Sequence, residues 1–557
     1  MKRKSLLALL LVLALCLPTF AACGNGANGG DETTTAEETT KAEETTKAEE
    51  TTKDEETTKV EETTTISETT EALEETTEEE LVVSVGLQFT SNDHGTCYVS
   101  GIGTCTDTDI VIPAVCPGGH IVTSIGDMAF SGCESLTSVK FEKNSQITTI
   151  GDLAFNACCE LENITIPDSV TSIGDNAFIG CTSLTSITIP DSVTSIGDGA
   201  FDGCLGLENI TIPDSVTSIG RGAFAGCSGL ESIVIPDSVT SIGNEAFYYC
   251  PSLMSITVDE NNGYYKSIGG DLYSKDATVL IQYAAGKTNT SFTIPDGVTS
   301  IGDYAFYCCS TLRNITIPGS VTSIGDMAFA DCTRLIEVYN FSSLDIASGS
   351  SDYGYVGYYA MKIYTTANET SKLVDNNGYI FYCDDNTSEY YLIGYTGSDT
   401  EIALPDDING HGYVINQYAF YMCDDITSVT IPDSVTSIGD KAFNSCLGLE
   451  NITIPDSVTS IGHGAFASCS SLESIVIPDS VTSIGDIAFG GCLGLESIVI
   501  PDSVTSIGVC TFYGCSGLTS ISYSGTKAQW NAISKGSNWN YETGEYTIYC
   551  TDGNITK

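Results

Sequence analysis

Histidine and positive charge are what this sequence has least of. Its 557 residues hold four histidines, His94, His120, His411 and His463, and 21 lysines and arginines against 73 aspartates and glutamates, a formal net charge of −52. So acidic a chain repels phosphate backbones and anionic bilayers, which excludes nucleic acid and a charged lipid surface as ligands of the folded part. None of the histidines stands in a recognised motif, and His463 fills a slot after Ile461-Gly462 where other units of the chain carry Asp, Arg or Asn. No nucleophile beside a base, no phosphate-cradling glycine loop and no pair of acid-base carboxylates stands out. Gly-Asp pairs such as Gly174-Asp175 recur without the nonapeptide signature of calcium β-rolls, and capping of a helical turn accounts for the aspartates. The reading is a non-enzyme with no catalytic residues, no metal and no cofactor.

What the chain has in quantity is one unit. From Leu184 it runs L-T-S-I-T-I-P-D-S-V-T-S-I-G-D-G-A-F-D-G-C-L-G, and Leu207 begins it again after 23 residues. Pro167, Pro190, Pro213 and Pro236 keep that spacing, as do Cys181, Cys204, Cys227 and Cys250. A unit this short cannot bury its own apolar side chains and must stack against its neighbours. The alternation in S-I-T-I predicts a strand with one buried face, ended by a proline that donates no ladder hydrogen bond. V-T-S-I predicts a second short strand, its glycine permitting a bend, and D-x-A-F-x-x-C a short helical turn filled by Phe and Cys.

The pattern C-x-x-L-x-x-I-x-I-P-x-x-V-x-x-I-G-x-x-A-F resembles the BspA-like leucine-rich-repeat family of bacterial surface proteins. Thirteen units begin their strands at Leu136, Leu161, Leu184, Leu207, Leu230, Leu253, Leu312, Leu335, Ile426, Leu449, Leu472, Leu495 and Leu518. The resemblance implies a repeat solenoid, mainly β: a right-handed stack of about 13 coils of 23 residues, broken by two irregular β-rich insertions.

In chain order, residues 1–22 read as an export signal, with Lys2, Arg3 and Lys4 ahead of an apolar run from Leu6 to Leu17 that is too short to span a bilayer. F-A-A-C-G at Phe20 to Gly24 resembles the bacterial lipoprotein cleavage box, with Phe20 where an aliphatic residue is usual, and implies lipid attachment at Cys23. An ordinary secretory signal is the alternative. Residues 23–80 form an acidic Thr/Glu-rich tether: positions 31–80 hold 20 acidic residues and four lysines and scarcely any large apolar side chain, so no core can form. Residues 81–123 read as an N-terminal cap, a hairpin turning near Gly101 between Cys97 and Cys105. Repeats then occupy 124–258, 292–338 and 416–525, the insertions 259–291 and 339–415, and a C-terminal cap with Trp530 the stretch 526–557.

Of the 23 cysteines, Cys16 and Cys23 belong to the leader and 13 others share one repeat position. Side chains in register point the same way, so rung-to-rung disulfides are disfavoured, and a line of thiols is no tetrahedral zinc site. The expectation is a ladder of reduced, buried thiols acting as small apolar fillers, represented by Cys181, Cys204 and Cys227 beside Phe178, Phe201 and Phe224, with Cys97 and Cys105 the one pair admitted as an exception.

The resemblance implies an exported, surface-anchored binding protein: an adhesin contacting host extracellular matrix or other cells, lipid-anchored on the outer face of the cytoplasmic membrane or on an outer membrane, touching the membrane through that anchor alone, and monomeric. Two surfaces are candidates for an extracellular protein or glycan ligand. One is the hydroxyl ribbon of the strands, represented by Thr188, Thr211 and Thr453. The other is the second insertion, where ten of the chain's 28 tyrosines fall between Tyr353 and Tyr395, among them Tyr355, Tyr358, Tyr359, Tyr390 and Tyr391. Irregular β-structure packed by its own aromatics is the plainer reading of that island. A glycan-capturing or glycan-processing lipoprotein and a passive spacer are the alternatives.

Overall fold

A computed structural model describes residues 81–557 apart from Asp93 and Asp385. The expected export signal, Cys23 and the expected acidic tether lie outside the described residues. Among the described residues no helix is long and apolar enough to cross a membrane.

The stretch from Leu81 to Lys557 forms one unit, a β-solenoid of stacked coils. Two parallel ladders run along it. In the first, Ser186–Thr188 lies beside Asn209–Thr211 with Ile187 opposite Ile210, a step of one repeat. Ile187 is buried while Ser186 and Thr188 are exposed, as the alternation requires. The second ladder is built of two-residue strands, Ser172–Ile173, Ser195–Ile196, Ser218–Ile219 and Ser241–Ile242, in an eight-stranded sheet.

The third side is not helical. Its residues form consecutive turns in which amides alternate between two acceptors. Ala200, Asp202 and Cys204 donate within the coil, to the carbonyls of Gly197, Gly199 and Phe201, while Gly199, Phe201 and Gly203 donate to Arg221, Ala223 and Ala225 of the next coil at 2.7–2.8 Å. This arrangement needs a left-handed residue at two places per coil, supplied by Gly199 and Gly203 here but by Leu153 and Ala157, or Tyr304 and Cys308, elsewhere. The aspartate expected to cap its own turn instead caps its neighbour: Asp175 Oδ1 accepts from the Asp198 amide at 2.8 Å and Asp198 Oδ1 from the Arg221 amide at 2.7 Å.

The same logic explains the other polar letters of the repeat. Ser215 donates to the Val193 carbonyl at 2.7 Å and Thr217 to the Thr194 carbonyl at 3.2 Å, each reaching back one coil. The repeat glycine is required by proximity, since a Cβ on Gly197 would lie 2.6 Å from the carbonyl carbon and oxygen of Gly174. Phe130, Phe155, Phe178, Phe201, Phe224 and Phe247 form one stack, with ring centroids 5.2–5.9 Å apart and planes within 10° of parallel.

The ladder cysteines are unpaired in the fold, and Cys181, Cys204 and Cys227 are fully buried, whereas Cys133 and Cys423 are half-exposed. They do more than fill space. In the regular coils the thiol donates to the phenylalanine carbonyl of the preceding coil, Cys204 to Phe178 and Cys227 to Phe201, both at 3.2 Å. Burial pushes the Cys181 and Cys250 thiols up to about 12, so neither is a thiolate at neutral pH. Alkylation of the native protein is expected to miss Cys181, Cys204 and Cys227, and to modify all three once the chain is denatured; thiol counting by mass spectrometry checks this.

Both insertions use one device, an antiparallel meander whose last strand joins the second ladder. In the first, Tyr265–Ile268, Asp271–Ser274 and Val279–Gln282 lead to a parallel pairing with Ser300–Ile301. In the second, Leu373–Asn376, Tyr379–Asp384 and Glu389–Tyr395 lead to Tyr413–Ile415. Lys362–Tyr364 also extends the first ladder beside Glu337–Asn340. Residues 339–415 are therefore not a loop laid on a finished solenoid: Tyr364, Phe381, Leu392 and Tyr413 are buried in its core.

The N-terminal cap contains a hairpin, but it turns earlier than expected. Gln88–Ser91 pairs antiparallel with Thr96–Gly101, which places Gly101 at the end of a strand. Cys97 and Cys105 are both free thiols. At the other end the helix Lys527–Ala532, with a capping box from Thr526 and Gln529, buries Trp530.

Candidate binding surface

The turn side of the coil presents its residues outward wherever A-F and Cys do not fill the core. In regular coils those outward places hold varied residues, among them Asp202, Asn444, Gly491, Ile179 and Lys441. In the coils flanking the insertions they hold tyrosine instead: Tyr248 and Tyr249 after Phe247, Tyr304 and Tyr307 around Phe306, and Tyr418 and Tyr421 around Phe420. The turn Tyr353–Tyr359 joins them, because the Phe329 amide donates to Gly354 as the Phe306 amide does to Ala328.

The rings touch. Tyr248 lies 4.3 Å from Tyr307 and 5.1 Å from Tyr304 between centroids. Tyr355, Tyr358, Tyr359, Tyr418 and Tyr421 continue as a chain of edge contacts at 4.9–5.5 Å. Asp331 is common to both groups: Tyr307 donates to its Oδ2 at 2.6 Å. Burial, then the nearby Asp331 carboxylate, raises the Tyr307 hydroxyl pKa. Burial does the same at Tyr249, pushed up to about 12, and at Tyr359 and Tyr421, with Asp331 contributing at each. These phenols stay protonated, so the surface combines aromatic faces, neutral hydroxyl donors and exposed carboxylates, Asp331 among them.

The six tyrosines named from sequence do not form one site. Tyr355, Tyr358 and Tyr359 enter this surface, with Tyr353 in the same turn. Tyr390 and Tyr391 lie in the meander, where Tyr390 is buried and stacks on His411 at 4.3 Å. Sequence reasoning missed Tyr248, Tyr249, Tyr304, Tyr307, Tyr418 and Tyr421, since they stand in ordinary repeats; the available signal was tyrosine recurring at the positions just before and after A-F.

Thr188 and Thr211 are adjacent and exposed in the first ladder. They line an open depression of about 290 Å³ with Asn209 and Val234. Thr453 belongs to a different sheet, opposite Thr430. Among the described residues no group of three or more His, Cys, Asp or Glu is placed to hold a metal ion.

A model of the BspA type leucine rich repeat region matches residues 108–227, 148–275, 282–374 and 395–533. The chain belongs to this family. Solved structures similar to this BspA-type chain include a leucine rich cell surface protein from Faecalibacterium prausnitzii, 32% identical over 81% of this chain and 97% of its own, with a TM-score of 0.32. A leucine-rich repeat protein from Bacteroides ovatus is 25% identical over 85% of this chain and 100% of its own, TM-score 0.31. The pneumococcal vaccine antigen PcpA is 19% identical over 83% of this chain and 98% of its own, TM-score 0.41. No curated protein matches the chain.

Proposed function

We propose that this BspA-type protein is displayed on the cell surface as an adhesin and grips an extracellular protein through the tyrosine surface around Asp331. The observation that carries the reading is the convergence of tyrosines from four separate stretches on one face. Tyrosine supplies rigid contact area at low entropic cost and is enriched among residues that dominate binding energy. An acidic chain with Asp331 at the centre of this surface favours a partner presenting lysine or arginine. The regular hydroxyl ribbon is nearly the same in every coil and by itself offers little positional discrimination.

The test is binding of the full chain to immobilised extracellular-matrix proteins, alongside a glycan array, for wild type and the Tyr307→Ser, Tyr421→Ser double variant. Loss of two central tyrosines is expected to weaken binding by about 30-fold or more, the cost of a strong interface residue. Asp331→Asn is expected to weaken it less and to flatten its dependence on salt. Undiminished binding by the folded double variant moves the site to the strand ribbon. Retention on glycans alone supports the second reading, sugar capture, which the stacking faces of Tyr358 and its neighbours favour.

Surface display rests on Cys23 as the lipid-bearing residue, with two or more acyl chains holding the protein stably. Cys23→Ser is expected to move the protein from the membrane fraction to the soluble fraction. A variant that still sediments with membranes, from a wild type that takes up no labelled fatty acid, contradicts the anchor.

A further inference from the structure

Two thiols in the N-terminal cap stand outside the ladder and belong to residues that meet at one backbone carbonyl. Cys97 lies in the strand Thr96–Gly101, registered opposite Val122 of Ile121–Ile125. Cys116 begins the tight loop C-P-G-G-H, which is closed by the Cys116 amide donating to the His120 carbonyl at 2.9 Å and the Gly119 amide donating to the Cys116 carbonyl at 2.8 Å. The His120 carbonyl also accepts from the Cys97 thiol at 3.5 Å, so one oxygen gathers both residues. The two side chains lie close enough to influence each other's charge.

Their surroundings differ from those of the repeat cysteines and from each other. A ladder thiol has a phenylalanine carbonyl as partner and identical neighbours above and below. Cys97 has no solvent exposure, and burial followed by the proximity of Cys116 pushes its thiol up to about 12. At Cys116 burial opposes ionisation, but the neighbouring Cys97 thiol and the backbone of His120, Gly118 and Cys116 itself outweigh it, and the thiol is lowered. Cys116 keeps 6% of its surface, under a Pro117-Gly118-Gly119 turn that is itself exposed. Cys116 is the sulfur with the residual exposure, beneath an exposed turn, and Cys97 is the one closed off beside it, which is the arrangement of an attacking and a resolving thiol.

We propose that Cys97 and Cys116 are a thiol–disulfide exchange pair that closes into a disulfide across the N-terminal cap when the protein meets an external disulfide. The Cys116 thiolate attacks one sulfur of R–S–S–R, forming Cys116–S–S–R and expelling R–S⁻. That thiolate takes the Cys97 proton. The Cys97 sulfur then attacks the Cys116 sulfur, breaks its bond to R and releases a second R–S⁻, which takes up the proton Cys116 lost at the start. Two protein thiols are oxidised and one external disulfide is reduced to two thiols. The product ties the cap hairpin to the loop beneath it, so the end strands can no longer peel from the stack.

The experiment uses the full chain equilibrated in glutathione buffers of graded redox poise, alkylated, digested and mapped by mass spectrometry. The Cys97 and Cys116 peptides are expected to become cross-linked, losing about two mass units for the two hydrogens removed. That should happen at a poise where Cys181, Cys204 and Cys227 still alkylate after denaturation. With Cys97→Ser, glutathione is expected to accumulate on Cys116; with Cys116→Ser, none should accumulate on Cys97. The proposal is overturned if Cys97 and Cys105 or two ladder cysteines cross-link first, if Cys97 and Cys116 stay alkylatable at every poise, or if the mixed disulfide forms on Cys97.

Discussion

Replacing Phe201 with alanine is expected to cost about 3–5 kcal/mol, the range for a phenylalanine removed from a closed core. Phe201 has no solvent exposure, and its ring is stacked 5.4 Å from Phe178 and 5.6 Å from Phe224, nearly parallel to both. The cavity cannot collapse, because the backbone on either side is pinned by the Phe201 amide donating to Ala223 and by the Phe178 amide donating to Ala200. A solenoid coil touches only its neighbours, so the loss is local. Hydrogen exchange should accelerate most between about Phe178 and Phe224 and fade along the stack. A uniform rise over all coils, or none, contradicts stacked nearest-neighbour units.

How far such effects could be foreseen from sequence depends on whether the physics is periodic. The period of 23 residues made the coil, the buried Ile187 and Phe201 and the line of cysteines legible, since stacking puts equivalent residues on top of each other. The jobs of Ser215, Thr217 and Asp198 were not legible. Each bonds the coil before or after its own, and a propensity argument sees only neighbours in sequence, which is why the aspartate read as a cap for its own turn. The hairpin of the cap was misplaced because symmetric cysteines weighed more than the turn signal S-N preceding Thr96. The proposed binding surface was half visible: a dense cluster at Tyr353–Tyr359 announced itself, but Tyr307 and Tyr421 are single letters in ordinary repeats that only the stacking brings together.

Glu337 shows what lies beyond periodic reading. Its register partner is Asn314, and the same place in regular coils holds exposed residues such as Ser186 or Asn209. Here a carboxylate is completely buried. It accepts from the Tyr364 hydroxyl at 2.8 Å, the Ser371 hydroxyl at 2.7 Å and the Lys372 amide at 2.6 Å. Three donors from the strand Lys362–Tyr364 and the segment after it thus converge on one side chain, which fixes where the second insertion leaves the solenoid. Glu337→Ala strands those donors without water and is expected to cost about 3–5 kcal/mol, as when one partner of a buried charged group is removed. Glu337→Gln keeps the volume and one acceptor but turns an NH₂ toward a donor, and is expected to cost about 1–2 kcal/mol. The readout is hydrogen exchange over residues 362–395 together with the denaturation midpoint. Because the turn Tyr353–Tyr359 is held by Phe329 and not by Glu337, ligand binding at low temperature should survive in Glu337→Gln. Alanine and glutamine variants of equal stability would show that the carboxylate does not organise the insertion.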